Sequence, residues 1–279
     1  MFDAGCSMFS RMISTFSIGG DLPVHRMGYG AMRLTQQPGN FGRYPKWDEG
    51  LALLRRFVEL GGNFIDTAEA YGPGWSEEII AAALHPYPVG LVITTKGGVT
   101  KQSPTNLYSD GRPERLRDAV EGSLRRLRLE RIDLYQFHRP DPKVPFEESV
   151  GALAELRAAG KIRHVGLSNI TLEQLTAARK IVPIASVQNA YNAQRRNDDA
   201  LLDETTRAGI AFLPWSPLGA MPMERYAPLA DPNVGTSEPG FTPGQTALRW
   251  LLQRAPNIIP IPGTTSVAHL EENMAALPV

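Results

Sequence analysis

Eight short apolar runs, each followed by a segment of helical periodicity, constrain this chain more than any single motif. The runs are MGYGAM (27–32), NFID (63–66), GLVITT (90–95), IDLYQF (132–137), IRHVGL (162–167), ASVQN (185–189), IAFLPW (210–215) and IIPIP (258–262). The helical segments are KWDEGLALLRRFVELGG from Lys46, SEEIIAAAL, RPERLRDAVEGSLRRL, PFEESVGALAELRAAGK, TLEQLTAARKI, RNDDALLDETTRAG, TPGQTALRWLLQR and SVAHLEENMAAL. Short, largely apolar strands are expected where both faces of a parallel sheet are buried. Eight strand–helix units in about 250 residues predict an α/β fold, one closed (β/α)8 TIM barrel over residues 15–279. SIGGDLPVHRM (17–27) reads as a short β-hairpin ahead of the barrel, and residues 1–14 as a flexible N-terminal extension. A doubly wound sheet is the competing arrangement. Against it, GYGAMR (28–33) has Arg33 where the dinucleotide fingerprint G-x-G-x-x-G needs its third glycine.

Several element ends carry their own signals. Ser76 followed by Glu77 and Glu78 predicts a capped helix start, and Thr171 with Gln174 has the capping-box spacing. Gly61-Gly62, Gly160 and Gly209 stand where helices should stop. Val150, Leu153, Leu156 and Ala159 recur at helical spacing. Two long connections, 97–111 and 217–241, would lie on the face where barrel enzymes keep their sites.

Bulk properties narrow the function. Lys+Arg and Asp+Glu both number 29, so no net charge draws the chain to nucleic acid or an anionic membrane. No apolar run approaches the roughly 18–20 residues of a membrane-spanning helix, and the N-terminus has no apolar core or basic start of a signal peptide. Cys6 is the single cysteine, which excludes an intramolecular disulfide and suits the cytoplasm. The five histidines (25, 85, 138, 164 and 269) show no metal-ligand spacing, so no metal is expected. There is no G-x-S-x-G elbow and no P-loop. The basic cluster RLRDAVEGSLRRLRLER reads as a solvated helix face.

Chemistry gathers at the strand ends. Asp66 ends the second expected strand, Lys96 the third, His138 the fourth, Ser168-Asn169 the fifth, Gln188 the sixth and Trp215 the seventh; Gly263 follows the eighth. A barrel brings those ends to one rim. Singly, each has an ordinary reading: Asp66 as a turn residue, Tyr71 as packed aromatic, Lys96 as a solvated strand end, His138 as a loop histidine, Trp215 as core. Together they form a coherent set. A phenol with a pKa of about 10 is a weak acid at neutral pH. A nearby ammonium stabilises its phenolate and lowers that pKa. A carboxylate keeps the ammonium charged, and an imidazole can orient a carbonyl oxygen. Tyr71, Lys96, Asp66 and His138 offer those roles, which suit protonation of an oxygen turning negative as a carbonyl accepts hydride.

The segments FIDTAEAYGPGWSEEIIAAAL, VITTKGG, LYQFHRPDP, RHVGLSNIT, VQNAYN, PWSPLG and IPGTTSVAHLEENMAA, in that order over nearly the whole chain, resemble the aldo-keto reductase superfamily. The resemblance implies a (β/α)8 barrel, a small-molecule carbonyl substrate and NADPH as cofactor, with NADH the alternative. It makes Tyr71 the general acid, tuned by Lys96 and Asp66, and makes His138 the residue that orients the carbonyl. Ser168, Asn169 and Gln188 match positions that bind the nicotinamide carboxamide, and Trp215 the aromatic beneath the ring. Ser216, Leu218 and Gly219 match the pyrophosphate segment. Gly263, Thr264, Thr265, Ser266, Glu272 and Asn273 match the adenosine-phosphate end, where His269 stands in place of a common arginine. Met32, Trp75, Arg139 and the 97–111 loop are the expected substrate pocket, more open than in members with a longer C-terminal segment after the last helix. SVAHLEENMAA and YNAQRRNDDALLD further resemble bacterial members that reduce pyridoxal. Two other readings are a regulator that binds the cofactor with little turnover, and a lyase or isomerase with a Lys96 Schiff base.

Overall fold

The computed structural model describes residues 14–219 and 239–277. The expected extension over 1–14 lies outside them except for Ser14, and so does the 217–241 connection between Gly219 and Pro239. The first elements, β1 (Thr15–Ile18) and β2 (Leu22–His25), form the anticipated hairpin two residues early, with Ile18 opposite Leu22. Its turn holds Gly19 at φ 62 against the His164 ring, where a Cβ would come within 2.3 Å. Ile18, Leu22 and Val24 are buried with Phe64, Val92, Leu134, Ala211 and Ile259. The hairpin thus fills the mouth of the barrel at the strands' N-terminal ends, leaving the opposite rim open for chemistry.

Seven strands make the barrel wall: β3 (Tyr29–Gly30), β4 (Phe64–Asp66), β5 (Val92–Gly97), β8 (Ile132–Phe137), β9 (Ile162–Ser168), β10 (Ile184–Gln188) and β11 (Ala211–Phe212). All pair in parallel in the order β11-β10-β9-β8-β5-β4-β3. Every residue of β5 is buried, as expected of a strand with the barrel interior on one side and helices on the other. The helices are α1 (Trp47–Glu59), α2 (Trp75–Leu84), α3 (Pro113–Leu127), α4 (Phe146–Ala158), α5 (Leu172–Ala178), α6 (Asp199–Arg207), α7 (Pro243–Arg254) and α8 (Val267–Met274).

The eighth apolar run closes the ring without becoming a regular strand. Ile258 bridges Phe212, and Ile259 N–H donates to the Phe212 carbonyl at 2.9 Å. On the other side, Gly28 and Gly30 N–H donate to the carbonyls of Pro260 and Pro262 at 2.9 and 3.2 Å. Prolines have no N–H to return, so the ladder is one-sided there. The glycines of GYG are needed at this seam: a Cβ on Gly30 would lie 2.6 Å from the Ile261 carbonyl oxygen, and one on Gly263 2.7 Å from that of Gly30. Arg26, just before the seam, is buried. Its Nε donates to Ile258 O at 2.9 Å and its Nη2 to Leu252 O and Ala255 O at 2.9 and 2.6 Å. It thereby satisfies carbonyls at the C-terminal end of α7.

Three local expectations are corrected. Ser76 does not cap α2, which begins at Trp75 after Gly74 at φ 83. Ser76 is instead buried, donating to Ala31 O at 3.1 Å and accepting from Thr67 Oγ1 at 2.8 Å. The 97–111 connection carries an antiparallel hairpin, β6 (Val99–Lys101) with β7 (Leu107–Ser109). Ala159 is exposed as the C-cap of α4, and Ala152 is buried beside Val150, Leu153 and Leu156. The Thr171–Gln174 capping box is present, and Gly61, Gly160 and Gly209 all have positive φ.

Candidate active site

Parallel pairing aligns the C-terminal strand ends. Gly30 is opposite Asp66, Lys96 opposite Gln136, and Gln188 opposite Ser168. Lys96 and Asp66 meet there at Nζ–Oδ2 2.7 Å, with side chains 0% and 4% exposed. Lys96 Nζ also donates to Thr67 O at 2.8 Å and reaches Tyr71 Oη at 3.5 Å. The second carboxylate oxygen, Asp66 Oδ1, accepts from Gln188 Nε2 at 2.8 Å and Gln136 Nε2 at 3.3 Å. Gln136 also donates to Thr94 Oγ1 at 2.9 Å. The ammonium and carboxylate are therefore each held from several sides, which makes their burial tolerable.

The loop after β4 carries Tyr71 back to this centre. Glu69 N–H donates to Lys96 O at 3.0 Å and Tyr71 N–H to Ala68 O at 3.0 Å. Gly72 then turns at φ 84, packed so closely that a Cβ would lie 2.8 Å from Trp75 Cβ and 3.0 Å from Gly42 O. Gly72 exchanges main-chain bonds with the 40–42 segment, donating to Asn40 O at 3.3 Å and accepting from Gly42 N–H at 3.0 Å, and the Asn40 carbonyl also accepts from Lys101 Nζ on β6 at 2.9 Å. The β6–β7 hairpin thereby braces the Tyr71 loop through an intermediate loop.

The His138 ring stands edge-on to Tyr71, with centroids 5.9 Å apart and planes at 85°. His138 Nδ1 is buried without a hydrogen-bond partner. Burial, with the cations of Lys96 and Arg139, holds the imidazole well below the ordinary histidine range, so it is neutral at pH 7. Burial pushes the Lys96 ammonium down, but Asp66 and Tyr71 outweigh it and its pKa lies above the lysine norm. For Tyr71, burial raises the phenol and outweighs the pull of Lys96. The sequence led to the opposite net direction, because an ammonium is visible in a sequence and desolvation is not.

The expected nicotinamide residues form a second linked group. Asn169, at φ 56, has its side chain committed on both sides: Nδ2 donates to His138 O and Ser168 Oγ at 3.0 Å each, and Oδ1 accepts from Trp215 Nε1 at 3.1 Å. The indole is thus fixed against the fifth strand end, with the Arg195 guanidinium 5.7 Å from its centroid. Ser216, at φ 58, accepts at its carbonyl from Asn192 Nδ2 and Gly219 N–H at 3.0 and 3.1 Å. Leu218 packs on the Met27, Leu248, Leu252 and Ala276 cluster. A third group follows the seam at Gly263. Buried Thr264 accepts from Tyr29 Oη at its carbonyl and from Ser266 N–H at Oγ1, at 2.7 and 3.0 Å. Ser266 caps α8 by accepting from His269 N–H at 3.4 Å. Thr265 and His269 are exposed, Asn273 is buried, and Glu272 accepts from the Thr242 hydroxyl at the start of α7.

Of the expected substrate pocket, Met32 lies half-buried in the 3-10 turn Ala31–Arg33 after β3. Trp75 is 39% exposed, edge-on to Trp47 at 6.1 Å, and lines an outer cleft with Pro73, Gly74, Glu78 and Arg126. Arg139 is half-buried beside His138. Gln136 and the Thr67 carbonyl complete the Lys96–Asp66 centre and were not singled out by sequence reasoning. The glutamine had a signal: a polar residue inside the apolar run IDLYQF, two positions before His138.

The molecule is a (β/α)8 barrel whose linked polar side chains converge on the C-terminal rim. The chain belongs to the aldo/keto reductase family, whose model matches residues 26–279. It is 42% identical over 269 residues to pyridoxine 4-dehydrogenase of Escherichia coli, covering 94% of this chain and 92% of that protein. The solved glycerol dehydrogenase of Gluconobacter oxydans matches with a TM-score of 0.82 at 29% identity, over 95% of this chain and 90% of that one. An aldo/keto reductase of Klebsiella pneumoniae, solved in complex with NADP and acetate, matches with a TM-score of 0.78 at 26% identity, again over 95% and 90%. No helix among the described residues is long and apolar enough to cross a membrane.

Proposed function

We propose that the protein reduces an aldehyde or ketone to the alcohol with NADPH, Tyr71 donating the proton. The observation that carries this is the chain Asp66–Lys96–Tyr71, with neutral His138 edge-on to the phenol. A carbonyl oxygen reached by both Tyr71 Oη and the imidazole would be polarised by two neutral donors in a desolvated site, where such bonds act most strongly. The raised pKa keeps Tyr71 protonated at neutral pH, and Lys96 stabilises the phenolate left after transfer. The same raised pKa on Lys96 disfavours the Schiff-base reading, which needs an uncharged amine.

The residues fit a nicotinamide dinucleotide. Trp215, pinned by Asn169, offers a ring face for stacking, and Ser168 lies beside it. Gln188 spends its Nε2 on Asp66, leaving Oε1 to accept from a carboxamide. Ser216, Leu218 and Gly219 would flank the pyrophosphate. Gly263, Thr264, Thr265, Ser266, His269, Glu272 and Asn273 would receive the adenosine end. When bound, the cofactor supplies the hydride. An imidazole at His269 in place of a guanidinium leaves NADH as a competitor, which a fluorescence titration with each cofactor resolves. Pyridoxal leads the carbonyl panel, because the relative from E. coli is a pyridoxine 4-dehydrogenase.

The test is NADPH oxidation with 4-nitrobenzaldehyde and with pyridoxal, wild type against Tyr71→Phe. The variant should lose turnover by a factor on the order of 10²–10⁴ while still binding NADPH. Equal rates would remove Tyr71 from the chemistry.

A further inference from the structure

We infer that Arg139 is a specificity residue: its guanidinium receives a carboxylate carried by the carbonyl substrate. This rests on the reductase reading above and adds to it the charge of the substrate.

Arg139 directly follows His138, where the chain leaves β8 at the rim. Its Nε is buried without a hydrogen-bond partner. Among the described residues, Arg139 makes no hydrogen bond and no ion pair. Arginines at and along α3 behave differently. Arg112 pairs with Asp110, Arg115 with Glu69 and Arg126 with Glu77, at 2.7, 2.8 and 2.6 Å. A guanidinium keeps its charge under all working conditions, and an enclosed N–H without an acceptor is costly. An oxyanion supplied by a ligand removes that cost.

The location ties the vacancy to the reaction. The charges acting on Tyr71 and His138 include Lys96, Asp66 and Arg139. Lys96 and Asp66 cancel, so Arg139 leaves the centre one positive charge in excess. One negative charge balances it, which favours a carboxylate over a phosphate dianion that would add repulsion against Asp66. The planar fork of arginine also matches a carboxylate with two parallel bonds.

The test compares kcat/KM, with NADPH, for 2-, 3- and 4-carboxybenzaldehyde against their methyl esters, using wild type, Arg139→Gln and Arg139→Lys. Wild type should prefer the acid at its best ring position by roughly tenfold to a hundredfold. In Arg139→Gln the ratio should fall to about one, and Arg139→Lys should retain part of it. Equal use of acids and esters by wild type overturns the inference, as does a preference that survives Arg139→Gln. A weakened NADPH affinity in Arg139→Gln with the ratio intact also overturns it, moving the residue to the cofactor. If wild type reduces none of these aldehydes and nothing else in a carbonyl panel, the reductase reading fails, and this inference with it. Should Arg139→Gln not fold, wild-type inhibition decides: benzoate should compete with the aldehyde and benzamide should not, and equal inhibition by the two overturns the inference.

Discussion

Arg26 and Lys96 are both cations enclosed by the same barrel, and they are treated in opposite ways. Arg26 donates to main-chain carbonyls at the end of α7 and in the closing segment, and burial pushes its guanidinium down to about 10. Lys96 is held by a carboxylate, a carbonyl and a phenol, and its pKa is driven up despite complete burial. The Asp66 carboxylate balances the ammonium's charge, and the ammonium's longest bond, 3.5 Å, runs to Tyr71, the proposed acid. A buried cation that donates to main-chain carbonyls at the seam serves the fold. One balanced by a carboxylate and coupled to a phenol is what the proposed reduction calls for.

The largest expected effect comes from cutting the reactive network. Lys96→Met should lower kcat/KM by a factor on the order of 10²–10⁴. It should also cost about 3–5 kcal/mol of stability, because Asp66 stays buried without its partner. Adding Asp66→Asn should restore most of that stability in urea melts but none of the activity. Recovery of both would break the distinction between the two cations.

Arg26→Met should act on the fold alone. Losing charged bonds to several carbonyls should cost about 3 kcal/mol, read from the urea midpoint, with kcat per folded molecule within about twofold of wild type. A large fall in kcat at full folding would tie the seam to the site.

The smallest effect is a pH dependence. His138 is already neutral, Tyr71 protonated and Lys96 charged across the neutral range, so reductive kcat should stay flat from about pH 6 to about pH 9. The sign for Lys96 follows from its raised pKa: its stabilisation is complete at neutral pH and is lost only as pH rises through the folded value. A break near pH 6.5 that disappears in His138→Gln would contradict the depressed imidazole.

Most of the barrel was legible because strands buried on both faces write short, largely apolar runs at regular spacing, each followed by a helical segment. The eighth run was legible as apolar, but its hydrogen bonding was not: Pro260 and Pro262 accept without donating. The strand-end polar residues could be read because position on a strand fixes which rim a side chain reaches. Gln136 was missed because it lies before its strand's end, where its role depends on Asp66 arriving from a strand two places away in the sheet. Ser76 had the chemistry of a cap, yet Thr67 and Ala31 claimed its hydroxyl from distant parts of the chain. The bracing of the Tyr71 loop by Lys101 is likewise tertiary and leaves no local mark.

The seam between the Gly28–Gly30 segment and the Pro260–Pro262 segment has a consequence for synthesis. It joins the first wall strand to the last wall segment. A nascent chain emerging from the ribosome therefore holds β3 and β11 as two unsealed borders until residues 258–262 have been made. Those borders are templates for wrong partners. Translation pauses or truncations before residue 257 should consequently produce sticky, chaperone-dependent intermediates, and emergence of residues 258–262 should act as the latch.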